Sequence, residues 1–161
     1  FYINYWSNIF FNFNDLFVLD LANNPKGDSG HARNIIKELG NTLHKKKVKA
    51  GIKFQFRNLK TFIHPEKRLN KANKNIERFL STELSWTNLY ELKKLIDRNN
   101  LISICTPFDE YSVDKIIDMG FDVIKVASCS ADDWPLLEKI TSSGLPIIAS
   151  TGGLDITQID N

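Results

Sequence analysis

Two lysines sit inside apolar runs, where an ammonium group is costly to bury. In Ile52-Lys53-Phe54-Gln55-Phe56, the period-two alternation of an extended chain puts Lys53 and Gln55 on one face and three apolar side chains on the other. Ile124-Lys125-Val126-Ala127-Ser128 repeats the device and ends it with a hydroxyl. Removing both ammonium groups from water without counter-charge costs several kcal/mol each, so the pair predicts an anionic ligand. Thr106, Ser128, Ser130, Ser150 and Thr151, with the Gly152-Gly153 turn, fall at the ends of neighbouring apolar runs. Hydroxyls and small-residue backbone placed there would cradle a phosphate and a carboxylate. Taken singly, serine and threonine at such ends are turn residues, and the Lys53 alternation also fits a solvent-facing edge strand. A lysine desolvated in a strand is likewise how Schiff-base aldolases obtain a nucleophilic amine, and Lys125 is the candidate for that chemistry. His31, His44 and His64 show no metal-ligand spacing, so no complete metal site is expected in this chain.

These residues need a scaffold that gathers strand ends at one place. Short apolar runs alternate with stretches of 3.6-residue periodicity, the pattern of βα units and a parallel sheet. Five strands are predicted: Phe17 to Ala22, Gly51 to Phe56, Leu101 to Cys105, Val123 to Ala127, and Pro146 to Ala149. Ala32, Ile35, Ile36, Leu39 and Leu43 mark a helix that Asp28-Ser29 would cap. Leu89, Leu92, Leu95 and Ile96 mark another, and Val113, Ile116 and Ile117 a third that Gly120 would close. A fourth carries Pro135 in its first turn and Gly144 at its end. The last three strands begin about twenty-two residues apart, the length of a strand, a covering helix and two short loops. The reading is α/β, a partial (β/α)8 TIM barrel with about five of the eight strands. No G-x-G-x-x-G follows a strand, which counts against a dinucleotide-binding sheet. The stretch Asn58 to Leu84 breaks the rhythm and is expected to be an excursion over the catalytic face.

Composition narrows the partners. With 21 basic and 19 acidic residues the net charge is +2, so no polyanion such as nucleic acid is expected, and Lys45-Lys46-Lys47 reads as a solvated helix end. The aromatic opening, Phe1 to Phe13, holds several asparagines and lacks a basic start and a small-residue cleavage site, so it fits neither a signal peptide nor a membrane span. Cys105 and Cys129 are expected to be free thiols of a cytoplasmic protein.

Five ordered motifs then carry a family resemblance. Ile52-Lys53-Phe54-Gln55, Cys105-Thr106-Pro107-Phe108-Asp109, Ile124-Lys125-Val126-Ala127-Ser128, Asp133-Trp134-Pro135-Leu136-Leu137 and Ala149-Ser150-Thr151-Gly152-Gly153 resemble, in order, strand-end motifs of the sialic acid (N-acetylneuraminate) synthase family. The resemblance runs from about Leu19 to the last residue. It implies a transferase of carbohydrate biosynthesis that condenses phosphoenolpyruvate with an N-acylated sugar to give a nonulosonic acid. Carried over motif by motif, Lys53, Thr106, Lys125, Ser128, Ser150 and Gly152 would hold phosphoenolpyruvate, with Thr151 adjoining, and Gln55 would touch the sugar. The resemblance also implies a divalent cation, Mn or Mg, whose ligands lie beyond this chain, and a homodimer of the full-length protein. Asp20 stands where a glutamate is usual, Asn24-Pro25-Lys26-Gly27-Asp28 puts proline at a usual histidine, and Ser128-Cys129-Ser130 replaces Ser-Gly-Glu. These departures leave phosphoenolpyruvate binding intact and the sugar unassigned.

Residues 1–15 are read as an N-terminal extension and 16–161 as the N-terminal part of the barrel domain. The absence of an initiating methionine, and the end within the incipient helix Leu154 to Ile159, predict a chain cut at both ends. Such a piece would be catalytically silent alone, or would be a truncated barrel with a binding or assembly role.

Overall fold

The computed structural model describes residues 11–68 and 73–160. Its centre is a five-stranded parallel sheet in sequential order. The strands are β1 (Phe17–Asp20), β2 (Ala50–Phe56), β3 (Ile102–Pro107), β4 (Val123–Val126) and β5 (Ile147–Ala149). Helices α1 (Ser29–Lys46), α4 (Trp86–Arg98), α5 (Glu110–Asp118) and α6 (Trp134–Ser142) connect them, and α7 (Ile156–Asp160) follows β5. Between β2 and α4, the Asn58–Leu84 excursion holds α2 (Leu59–Phe62), a 3-10 turn (Pro65–Lys67) and α3 (Lys74–Ser81). Sequential parallel order with a covering helix at each crossover is half of a (β/α)8 barrel. β2 lies between β1 and β3, so the edge-strand alternative for Lys53 is excluded.

Short polar side chains start the helices where the sequence places them. Asp28, Asn58, Asn73, Ser85, Asp109 and Asp133 each accept a backbone N–H from the first turn of their helix. At the other ends, Gly120 and Gly144 both have φ of 69°, a conformation that closes a helix at little steric cost for glycine. Lys45 and Lys46 occupy the exposed last turn of α1.

Each inner strand presents one face to the helices. Ile52, Phe54 and Phe56 of β2, Cys105 of β3, and Ile124 and Val126 of β4 join Ile36, Leu92, Ile96, Val113, Ile116, Leu136 and Ile140 in one core. The opposite face of the same strands is the barrel lumen. Below Lys53 on that face, Gly51 leaves room for Ile104: a Cβ on Gly51 would stand 2.6 Å from Ile104 Cδ1. β1 ends at Asp20, two residues before the predicted end, because Ala22 turns into the left-handed region and its N–H donates to Asp20 Oδ1 at 3.0 Å. The proposed extension of residues 1–15 lies mostly outside the described residues; Lys49 Nζ ties its last part to the backbone by donating to the carbonyl of Asn14 at 3.1 Å.

Candidate active site

The strand register fixes which polar residues meet. Asp20 of β1 pairs with Lys53 of β2, and Gln55 pairs with Thr106 of β3. With Lys125 of β4, and Ser128 and Ser130 just beyond it, these side chains line an open concavity of about 680 Å³ at the carboxyl ends of the strands. This is where a barrel of this architecture places its chemistry. Ser150, Thr151 and Gly152 stand at the end of β5 and do not line the concavity. Gly152 instead packs on the neighbouring turn. Its φ is 34°, and a Cβ there would fall 2.2 Å from the Ser128 carbonyl oxygen.

Lys53 is 8% exposed, yet it is not a lone buried cation, because its Nζ meets Asp20 Oδ2 at 2.8 Å. The expectation of two ammonium groups without counter-charge is thus corrected for Lys53. Asp20 lies 33 positions away in sequence, and only the parallel register brings the two together. Asp20 remains half exposed, so an incoming anion has access to the pair. No such partner adjoins Lys125 among the described residues. Burial pushes its pKa down first, and the nearby Lys53 charge pushes it further, against a weaker opposing pull from Asp20. Beside them, the Thr106 hydroxyl is buried and has no hydrogen-bond partner among the described residues. A buried polar atom left open at a concave site is poised to bind a ligand oxygen.

Arg57 is the site residue that sequence reasoning missed. It follows β2 two residues after Gln55 and also lines the concavity. Its Nη2 donates to Gln55 Oε1 at 3.0 Å, and its guanidinium lies 3.8 Å from the centre of the Phe108 ring and 4.8 Å from that of Phe79. Burial, then the charge of Arg78, lowers its pKa. Phe62 and Phe79 bring the excursion to the concavity, as the expected covering of the catalytic face requires. The signal available in the sequence was the shared face of Lys53, Gln55 and Arg57; the aromatic rings lie too far along the chain to suggest a cradle.

Carboxylates in the concavity are few. Asp20 is committed to Lys53, and Asp133 caps α6 by accepting from the Leu136 N–H at 3.4 Å. Among the described residues, no three His, Cys, Asp and Glu side chains are grouped to hold a metal ion. Cys105 is a buried free thiol facing the helices, its pKa raised well above the usual value by burial, whereas Cys129 is free and exposed at the concavity. No helix of the described residues is long and apolar enough to cross a membrane.

A family model described as the NeuB family matches residues 44–161. The chain is 37% identical over 125 residues to an uncharacterized protein of Methanocaldococcus jannaschii, covering 76% of this chain and 35% of that protein. It is 30% identical over 89 residues to the N,N'-diacetyllegionaminic acid synthase of Legionella pneumophila, covering 55% of this chain and 25% of that enzyme. Among solved structures, a Chromobacterium violaceum protein assigned by name to spore coat polysaccharide biosynthesis superposes with a TM-score of 0.87 at 40% identity, covering 91% of this chain and 44% of that one. The N-acetylneuraminic acid synthetase of Leptospira borgpetersenii, solved with citrate, gives 0.75 at 25% identity, covering 91% and 47%. The chain thus spans about a third or less of these curated relatives and under half of these solved chains.

Proposed function

The chain belongs to the NeuB family, and from that premise we propose that it supplies the phosphoenolpyruvate-binding half of a synthase that joins phosphoenolpyruvate to an N-acylated sugar. One observation carries the reading: Lys53, Lys125 and the unpartnered Thr106 hydroxyl share one concavity at the strand ends. In the proposed reaction, C3 of phosphoenolpyruvate attacks the sugar's aldehyde carbon and the carbonyl oxygen becomes a hydroxyl. Water adds at C2, and the C2 centre then expels inorganic phosphate, leaving a 2-keto sugar acid. Lys53 would exchange Asp20 for the phosphate or carboxylate, and Lys125 would supply the second positive charge. Thr106 would donate to a substrate oxygen, and Gln55, at the rim, would face the acceptor. The lysines act electrostatically and form no covalent link. A divalent cation for this reaction would be held outside the described residues. The complete protein is proposed to be homodimeric, as the resemblance implies, and cytoplasmic.

The lowered pKa of Lys125 gives the Schiff-base aldolase reading a specific observation of its own, since an amine must be neutral to attack a carbonyl. Two measurements on the complete protein separate the readings. The synthase releases inorganic phosphate from phosphoenolpyruvate only when an N-acylated sugar is present, and mass spectrometry finds the three-carbon-extended acid. Borohydride trapping of a pyruvate adduct on Lys125 would instead establish the aldolase.

A further inference from the structure

We propose that Arg57 is a positioning residue that sets which end of the Gln55 amide meets the second substrate. The inference rests on the synthase reading for what that substrate is, but the geometry behind it stands alone. Arg57 Nη2 donates to Gln55 Oε1 at 3.0 Å. An amide whose oxygen is taken in this way presents its NH2 group on the other side, and Gln55 lies against the concavity. Gln55 therefore serves as a donor, matched to a substrate oxygen such as a hydroxyl or an acyl carbonyl. With the amide released and free to flip, that selectivity is lost.

Two further observations explain why the arginine stays in place. Its guanidinium stacks 3.8 Å from the centre of Phe108, with Phe79 at 4.8 Å and Phe62 at 5.9 Å, so aromatic faces hold the cation where no carboxylate pairs with it among the described residues. The nearby Asp109 carboxylate is already engaged, accepting from the Asn58 N–H at 2.7 Å and the Ser112 N–H at 2.7 Å. This pair of hydrogen bonds anchors Asn58, the residue after Arg57, to the start of α5. A lysine could supply the charge at this position but not the planar fork that grips an amide oxygen while stacking on a ring.

The test uses the complete protein as wild type, Arg57→Met, Arg57→Lys, Gln55→Ala and the Gln55→Ala/Arg57→Met double variant, with phosphoenolpyruvate and N-acetylmannosamine as the probe acceptor. Arg57→Met is expected to raise the acceptor KM about tenfold or more while the phosphoenolpyruvate KM stays within about twofold, the effect of a lost charge-assisted contact on one substrate. Arg57→Lys should recover part of the loss. The double variant should be no worse than Gln55→Ala, because Arg57 works through that amide. Equal rises in both KM values, or additive losses in the double variant, overturn the proposal. Nuclear magnetic resonance on 15N-glutamine-labelled protein reads the clamp without turnover. The Gln55 side-chain amide signals should move in Arg57→Met, and less far in Arg57→Lys, which keeps the charge without the fork. Signals that stay put in Arg57→Met refute the clamp, whereas a wild-type clamp in a protein without phosphate release refutes the synthase reading alone.

Discussion

Lys125 enters the lumen with its charge already weakened, first by burial and then by Lys53. A bound phosphate or carboxylate reverses the second influence, because an adjacent opposite charge favours the ammonium form. Below the depressed pKa the lysine is charged with or without ligand, so affinity does not vary with pH through this group. Above it the free site is neutral, and binding requires a proton to be taken up. Phosphoenolpyruvate affinity should therefore fall as pH rises through a range below the ordinary lysine pKa, with proton uptake measurable by calorimetry in buffers of different ionisation enthalpy. Affinity that stays flat up to the ordinary lysine range would contradict this. The acceptor side yields a second expectation. Asp20 is held by Lys53, and Ser130 stands where the resemblance places a carboxylate, so N-acetylmannosamine should not be the best acceptor in a panel of N-acylated sugars. Its having the highest kcat/KM would refute this. That Lys53, Gln55, Thr106 and Lys125 meet at one concavity was legible in the sequence because strand alternation and strand ends are local signals. The Asp20 counter-charge and the cradle of Arg57 were not, because each joins residues from separate elements.

At the scale of elements, the turn after β5 is held tightly against the turn after β4. Gly152 can approach the Ser128 carbonyl only because it lacks a Cβ, whereas Gly120, also left-handed, has open space around it. Gly120→Ala should cost about 1 kcal/mol from backbone strain alone. Gly152→Ala adds a steric clash and should cost about 2 kcal/mol or more, with weaker phosphoenolpyruvate binding because Ser128 must move. Thermal midpoints of the two variants in the complete protein check the ranking, and an equal or smaller shift for Gly152→Ala would refute it. Helix positions were readable because caps and apolar periodicity agree: Asp28, Pro135, Gly120 and Gly144 all act where the sequence suggests. The strand ends were less so. β3 runs on through Thr106 to Pro107, since pairing with β2 continues along Gln55 and Phe56, and nothing local to Cys105 announces that.

At the scale of the whole molecule, five strands among the described residues make an open half-barrel with β1 and β5 at its edges. On this open sheet, a ligand held in the concavity keeps one side toward water, which screens its attraction to the lysines. The 161-residue chain by itself is therefore expected to release no phosphate from phosphoenolpyruvate and an N-acylated sugar with added manganese. Turnover by that purified polypeptide, shown by mass spectrometry to be free of longer forms, would overturn this expectation. The central claim is that Lys53 and Lys125 together form the anion site of a phosphoenolpyruvate-dependent synthase. Calorimetric titration of phosphoenolpyruvate into the complete protein and its Lys53→Met and Lys125→Met variants tests it most directly. A charge-assisted hydrogen bond to an anion is worth about 1.5–3 kcal/mol, so each variant should bind about tenfold or more weakly. Unchanged affinity in both variants would contradict the claim.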